Sequence, residues 1–200
     1  MPQVFKFRGC DECYVAKLLT DDADGVTYGP LKKLFPLGEV GKSTSSDSSA
    51  SYADNKALLI VNSEGNDEIA LTGFGIPLDM LAEITGKKFD EATGAFIDNV
   101  RTVDYYALIY REKLTNGKYR YHSRLKGTFN IPDENSATED DGTDSQGQEL
   151  TYNGIFTTHE FANGGSAKGV VVDTQYEGAN VEGWYDAVVT PDTVKAKTAE

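Results

Sequence analysis

The sequence predicts a mainly β fold, an antiparallel sandwich or barrel with one helix packed against it. Short segments rich in β-branched and aromatic residues recur along the chain, and clusters of Gly, Asn, Asp and Ser separate them. Helical spacing of apolar residues is convincing in one place only. The 200 residues, 39% of them apolar, suffice for one domain of ordinary size with its own core.

In chain order, strands are expected at residues 12–20, 26–34, 57–63, 67–73, 103–113, 118–130, 149–160, 167–173 and 183–190. The helix is expected at residues 77–85. Pro77 suits a first-turn position that needs no amide bond, Asp79 favours the positive end, and Gly86 suits a left-handed C-terminal cap. Leu78, Leu81 and Ile84 share one face, the stripe of a helix packed on a sheet. Asn116 and Gly117 between two long aromatic strands predict a type I′ hairpin turn.

Two polar stretches interrupt this pattern. Residues 41–55, GKSTSSDSSASYADN, are too polar to bury and too long for a tight turn, so a long polar loop is expected, either flexible or ordered by a partner. Residues 132–148 are acidic and contain no Lys or Arg. Clustered carboxylates suit a hard cation such as calcium, but the spacing is not that of an EF-hand, and a solvated loop is the simpler expectation. After Thr190 little remains to bury, so residues 191–200 read as a flexible C-terminal arm following a domain of residues 1–190. No internal repeat is visible.

Composition narrows the function. A formal net charge of −13 and a pI near 4.6 oppose tight binding to phosphate backbones and suit a surface that DNA passes without sticking. The first nine residues lack the apolar run of roughly 7–15 residues of a signal peptide, and nothing approaches the roughly 20 apolar residues of a membrane span. A soluble product without membrane partners is expected.

Cys10 and Cys13 form a CxxC pair, but a zinc ribbon needs a second pair and a redox motif a βαβ context, so both are expected to be packing residues. A composite site with His122 and His159 would have to join distant strands. Tyr105, Tyr106, Tyr110, Tyr119, Tyr121 and Phe129, interleaved with Arg111, Arg120, Arg124 and Lys126, resemble a base-stacking platform. In strands, however, such alternation marks one packed face and one solvated face. No nucleophile elbow, phosphate loop, dinucleotide fingerprint or HExxH motif is present, so no catalytic residue, cofactor or metal is assigned and no enzymatic role is expected.

The order of segments is more telling than any motif. ECYVAKLLTDDADGVTYGPLKKL (12–34), TSSDSSASYADNKA (44–57), EIALTGFGIPLDMLAEITG (68–86), YYALIYREKLTNGKYRYHSRLKGTF (105–129), QELTYNGIFTTHEF (148–161) and a terminal strand around Trp184 together resemble the siphophage major tail protein family. The resemblance implies a tail-tube-type β-sandwich with a flanking helix. It further implies hexameric rings stacked around a lumen that houses the tape measure protein and later conducts DNA. Expected partners are other copies of the chain, the tape measure protein, the tail tip or distal tail protein and the tail terminator. The expected location is the virion tail tube, assembled in the host cytoplasm. The polar segment then becomes an inter-subunit loop, with Lys42, Ser43, Asp47, Tyr52, Asp54 and Lys56 as contact residues. A ring-forming tail terminator or secretion-tube subunit, and a carbohydrate-binding β-sandwich, are the alternatives.

Overall fold

A computed structural model describes residues 4–53, 55–133 and 147–197. The strands are β1 (Phe7–Asp21), β2 (Val26–Tyr28), β3 (Lys32–Lys33), β4 (Leu37–Ala53), β5 (Lys56–Gly73), β6 (Lys88–Asp90), β7 (Ala95–Ile97), β8 (Tyr106–Leu114), β9 (Tyr119–Phe129), β10 (Gln148–Gly154) and β11 (Gly169–Asp173). The helix is α1 (Leu78–Thr85). All ladders are antiparallel, and the main sheet runs β2-β1-β8-β9-β10-β5-β4. β3 adds to β1, and β11 adds to β9 at the end that β10 leaves free. β6 and β7 form a separate hairpin. The sheet curls so that the Val40 amide of β4 reaches the Cys10 thiol of β1, but no ladder joins the two strands and no barrel closes.

Alternation along the central strands builds a core on each face. Cys13, Val15, Tyr106, Leu108 and Tyr110 point to one side, where Ile69, Leu71, Leu150, Tyr152, Leu34, Phe35 and the helix cover them. Ala16, Ala107 and Ile109 point to the other, under Tyr121, Leu125, Phe161, Trp184 and Val188. Strands covered on both faces read as continuous apolar runs, as YALIY does in β8. Buried hydroxyls are satisfied across elements: Tyr152 donates to the Tyr106 carbonyl (2.9 Å) and Tyr106 to the Glu83 carbonyl at the end of α1 (2.7 Å).

The helix forms where expected. Pro77 is its N-cap, its carbonyl taking the Leu81 amide, and Gly86 adopts φ 68° while the Gly86 and Lys87 amides close on Glu83 and Ala82. Met80, Leu81 and Ile84 form the buried stripe, and Leu78 is half exposed instead of buried. The hairpin turn differs from the expected type I′. Gly117 alone takes positive φ (80°), Leu114 and Lys118 close a three-residue loop, and the Asn116 side chain accepts from the Lys118 amide (3.1 Å). This is a type I turn followed by a left-handed glycine.

Other expectations are corrected as well. Residues 26–34 break into β2 and β3, and residues 155–160 leave the sheet after β10. Residues 183–190 form turns, not a strand; Trp184 and Val188 plug the second core face there, with Trp184 packed edge-on against Tyr121. Residues 192–197 of the expected C-terminal arm make contacts with the rest of the chain. Asp192 accepts from the Ala162 and Asn163 amides (3.1 and 2.8 Å), and Ala196 bridges to Ala179. Residues 134–146 of the expected acidic loop lie outside the described residues.

Candidate functional site

The expected polar loop is instead a strand. β4 and β5 pair along nearly their whole length, from Leu37↔Gly73 to Ala53↔Lys56. β10 accompanies β5 only as far as Gly154↔Asp67. Beyond Thr44 and Glu64 the two strands have only each other, and together they project as a hairpin arm. Serines do not prevent this, because an exposed strand needs backbone partners and not apolar side chains: β5 supplies them along one edge of β4 and water can meet the other.

The two strands of the arm differ in character. β4 contributes TSSDSSAS, whereas β5 contributes KALLIV. Leu58 and Ile60 point to one face and Leu59 and Val61 to the other; they are 70%, 60%, 57% and 54% exposed, and Tyr52 near the tip is 74% exposed. Such apolar surface on a long hairpin is a template for association, since a lone two-stranded ribbon is only marginally stable in water.

The structure gathers most of the sequence-expected contact residues on this hairpin, but not in one patch. Ser43 is exposed opposite Glu68, Asp47 is exposed and accepts from the Ser48 amide (2.9 Å), and Lys56 is exposed where β5 begins. Lys42 belongs to the base of the arm, where its Nζ bonds Thr44 (2.5 Å) and lies 3.2 Å from Asp67. Asp54 lies outside the described residues. Leu58–Val61 escape sequence reasoning because an apolar run of strand length reads as core.

A buried ionic cluster occupies the base. Asp67 is 2% exposed. Its Oδ1 accepts from Thr44 Oγ1 (2.9 Å) and Lys168 Nζ (3.2 Å), and its Oδ2 faces Lys42 Nζ (3.2 Å) and Arg124 Nη1 (3.4 Å). Burial pushes this carboxyl up, but the bonds from Thr44, Lys42 and Lys168 outweigh it and hold it below the usual carboxylate range.

The other sequence candidates find packing roles. Cys13 is fully buried and Cys10 partly so, both as free thiols, with burial raising each. His122 stacks on Tyr110 (4.5 Å) with its Nε2 2.8 Å from Glu112, and burial lowers it despite that partner. His159 packs edge-on against Phe161. The cations of the apparent stacking platform are paired: Arg111 with Asp11 (2.6 and 3.0 Å), Arg120 with Asp173 (2.8 Å), Lys126 with Asp21 (2.5 Å) and Arg124 with Asp67. Tyr106, Tyr110, Tyr121 and Phe129 are buried, Tyr119 is half-buried beneath Arg111 (4.6 Å), and of the six only Tyr105 is exposed, so they form no continuous stacking face. Among the described residues no group of His, Cys, Asp and Glu is arranged to hold a metal, and no helix is long and apolar enough to cross a membrane.

No curated protein matches the chain. The model of the phage tail tube protein family, however, matches residues 44–181, from the start of the projecting hairpin to the turns before Trp184 and over well more than half of the sequence. On that match, and with an antiparallel sheet and a flanking helix in place, the chain belongs to the phage tail tube protein family and is a structural protein of the virion tail.

Proposed function

We propose that the chain is the major tail tube protein of a long, non-contractile phage tail, self-assembling head to tail into hexameric rings that stack into a tube. The rings enclose the tape measure protein, begin at the tail tip and end at the tail terminator. DNA leaves through the lumen into the host, and the net charge of −13 keeps it from adhering. Assembly takes place in the host cytoplasm. The observation that carries this reading is the arm, whose apolar residues lie uncovered on both faces. A monomer gains nothing from such an element, whereas a neighbouring copy that covers it removes apolar surface from water at about 25 cal/mol per Å². The contact residues on this reading are Lys42, Ser43, Asp47, Tyr52, Asp54 and Lys56, joined by Leu58–Val61.

Electron microscopy and sedimentation of the purified protein over a range of concentrations, with and without tail-tip complexes, test it. Wild type is expected to form rings and tubes, while Leu59→Lys with Ile60→Lys leaves a folded monomer. Strictly monomeric wild type at high concentration with the initiator present would overturn the reading, as would tubes formed equally well by the lysine variant.

A further inference from the structure

The arm leaves the body through a β-bulge. Thr44 pairs with Asp67 and Ser46 with Glu64, so Gly65 and Asn66 together face Ser45 alone. The Ser45 hydroxyl donates to the Asn66 side-chain oxygen (3.0 Å), and a Cβ on Gly65 would overlap that hydroxyl. A bulge bends and twists its strand and is a natural place for a ribbon to change direction. Left to itself, a bulge followed by an uncovered hairpin has no fixed angle.

Lys168 spans this bulge. It lies just before β11, is 7% exposed, and its Nζ sits 4.7 Å from the centre of the Phe156 ring. The same Nζ bonds Asp67 Oδ1 (3.2 Å) on the body side of the bulge and Glu64 Oε1 (2.6 Å) on the arm side. Asp67 is in turn held by Lys42, Thr44 and Arg124. The ammonium is thus anchored in the body, and its third direction reaches the first arm residue past the bend. Burial makes the anchor strong, because few water molecules compete for the ammonium at that end.

We infer that Lys168 is a positioning residue, a clamp that sets the angle at which the arm projects, with Asp67 as its anchor and Glu64 as the arm residue it holds. A pre-set angle lowers the ordering cost of docking each arm on its neighbour, since the orientation is fixed before contact. The angle itself does not depend on what the arm binds; only the assembly readout rests on the proposed tube function.

Nitroxide labels on p-acetylphenylalanine at positions 49 (arm) and 118 (body) report the angle as a distance distribution. Wild type and Lys168→Arg should give one narrow peak. Glu64→Gln, at a largely exposed side chain that folding does not need, and Lys168→Met should broaden it about twofold while melting of the Glu64→Gln protein stays unchanged. Tube formation by both should slow about tenfold, as expected when docking must select one orientation. An equally narrow peak in Glu64→Gln and Lys168→Met, or a wild-type peak already as broad as theirs, would overturn the clamp. Should Lys168→Met fail to fold, Glu64→Gln alone decides. If wild type forms no tubes, the assembly reading fails while the distances still judge the clamp.

Discussion

Two antiparallel hairpins of similar backbone and similar apolar content meet opposite fates in this molecule. In β8, Ala107–Leu108–Ile109–Tyr110 is buried on both faces between two core clusters. In β5, Leu58–Leu59–Ile60–Val61 carries the same kind of side chains into water on both faces. Backbone pairing differs as well: β1 and β9 bond β8 on both edges, whereas β4 alone bonds the arm of β5, on one edge. The cover differs too: other parts of the same chain cover β8, while nothing in the chain's described residues covers Leu58–Val61 of β5. A run of aliphatic residues in a strand therefore records a demand for burial without saying who meets it.

The sharpest way to break this contrast is to truncate one leucine in each hairpin. Leu108→Ala should cost about 2–5 kcal/mol of monomer stability, since it opens a cavity in a fully buried site. Leu59→Ala should change monomer stability by less than about 0.5 kcal/mol, as at other exposed positions. Urea unfolding of dilute, unassembled protein measures both. A loss at Leu59 comparable with that at Leu108 would mean that the arm folds back on the body and that the contrast is wrong.

The same contrast explains which features can be read from residue order. The helix is legible because its signals are local: Pro77 before the first turn, Asp79 within it, and a left-handed glycine at 86. The β8–β9 hairpin is legible from its length and aromatic content, but its turn type is not. A three-residue loop needs only one positive-φ residue, and Asn116–Gly117 satisfies it as readily as a two-residue turn. β4 is invisible because Ser and Asp carry no apolar alternation, and its pairing comes wholly from β5. Residues 183–190 mislead in the opposite sense: Trp184, Val188 and Val189 have strand composition, yet they are spent on plugging a sheet face. Of the candidate site, the arm's location is legible from the polar segment. The ionic clamp is not, because Asp67, Arg124 and Lys168 are brought together only by the order of strands in the sheet.

Glycine substitution sharpens the comparison at a smaller scale. In the body, a Cβ on Gly127 would overlap the Tyr152 ring and the Asn153 carbonyl, and one on Gly86 would overlap the Thr102 carbonyl in a left-handed backbone. Gly127→Ala and Gly86→Ala should each cost about 1–3 kcal/mol. In the β4 strand Gly41 has open space around it and an ordinary backbone, so Gly41→Ala should be neutral or stabilise by up to about 1 kcal/mol. Thermal melts of the three variants rank them, and a Gly41→Ala protein as unstable as Gly86→Ala would show that this stretch of β4 is covered in the monomer.

The mildest effect separates the hairpins by acidity. Asp67 at the base of the arm, with Asp21 and Asp173 in the body, is a buried carboxylate that burial alone would raise. Partners outweigh burial in each case: Thr44, Lys42 and Lys168 for Asp67; Lys126 and the Thr158 and His159 amides for Asp21; the Gln175 amide and Arg120 for Asp173. A carboxyl held below its ordinary value in the folded state takes up its proton earlier in the unfolded chain. Its stabilisation is therefore complete above about pH 4 and is lost as pH falls through the lower folded-state value. His122, lowered by burial, acts in the same direction from about pH 6.5 downward, because the unfolded chain again binds the proton first. Melting temperature should thus decline gently from pH 7 to pH 4 and more steeply below. In Asp67→Asn the steeper limb should flatten, since one of its titrating groups is gone. Hydrogen exchange at low pH should rise in the β4–β5 segment near Asp67 before it rises at Leu108 and Ile109 in the middle of β8, which lie in the two apolar clusters. Equal loss of protection in both strands would place acid sensitivity in the whole sheet and not at the root of the arm.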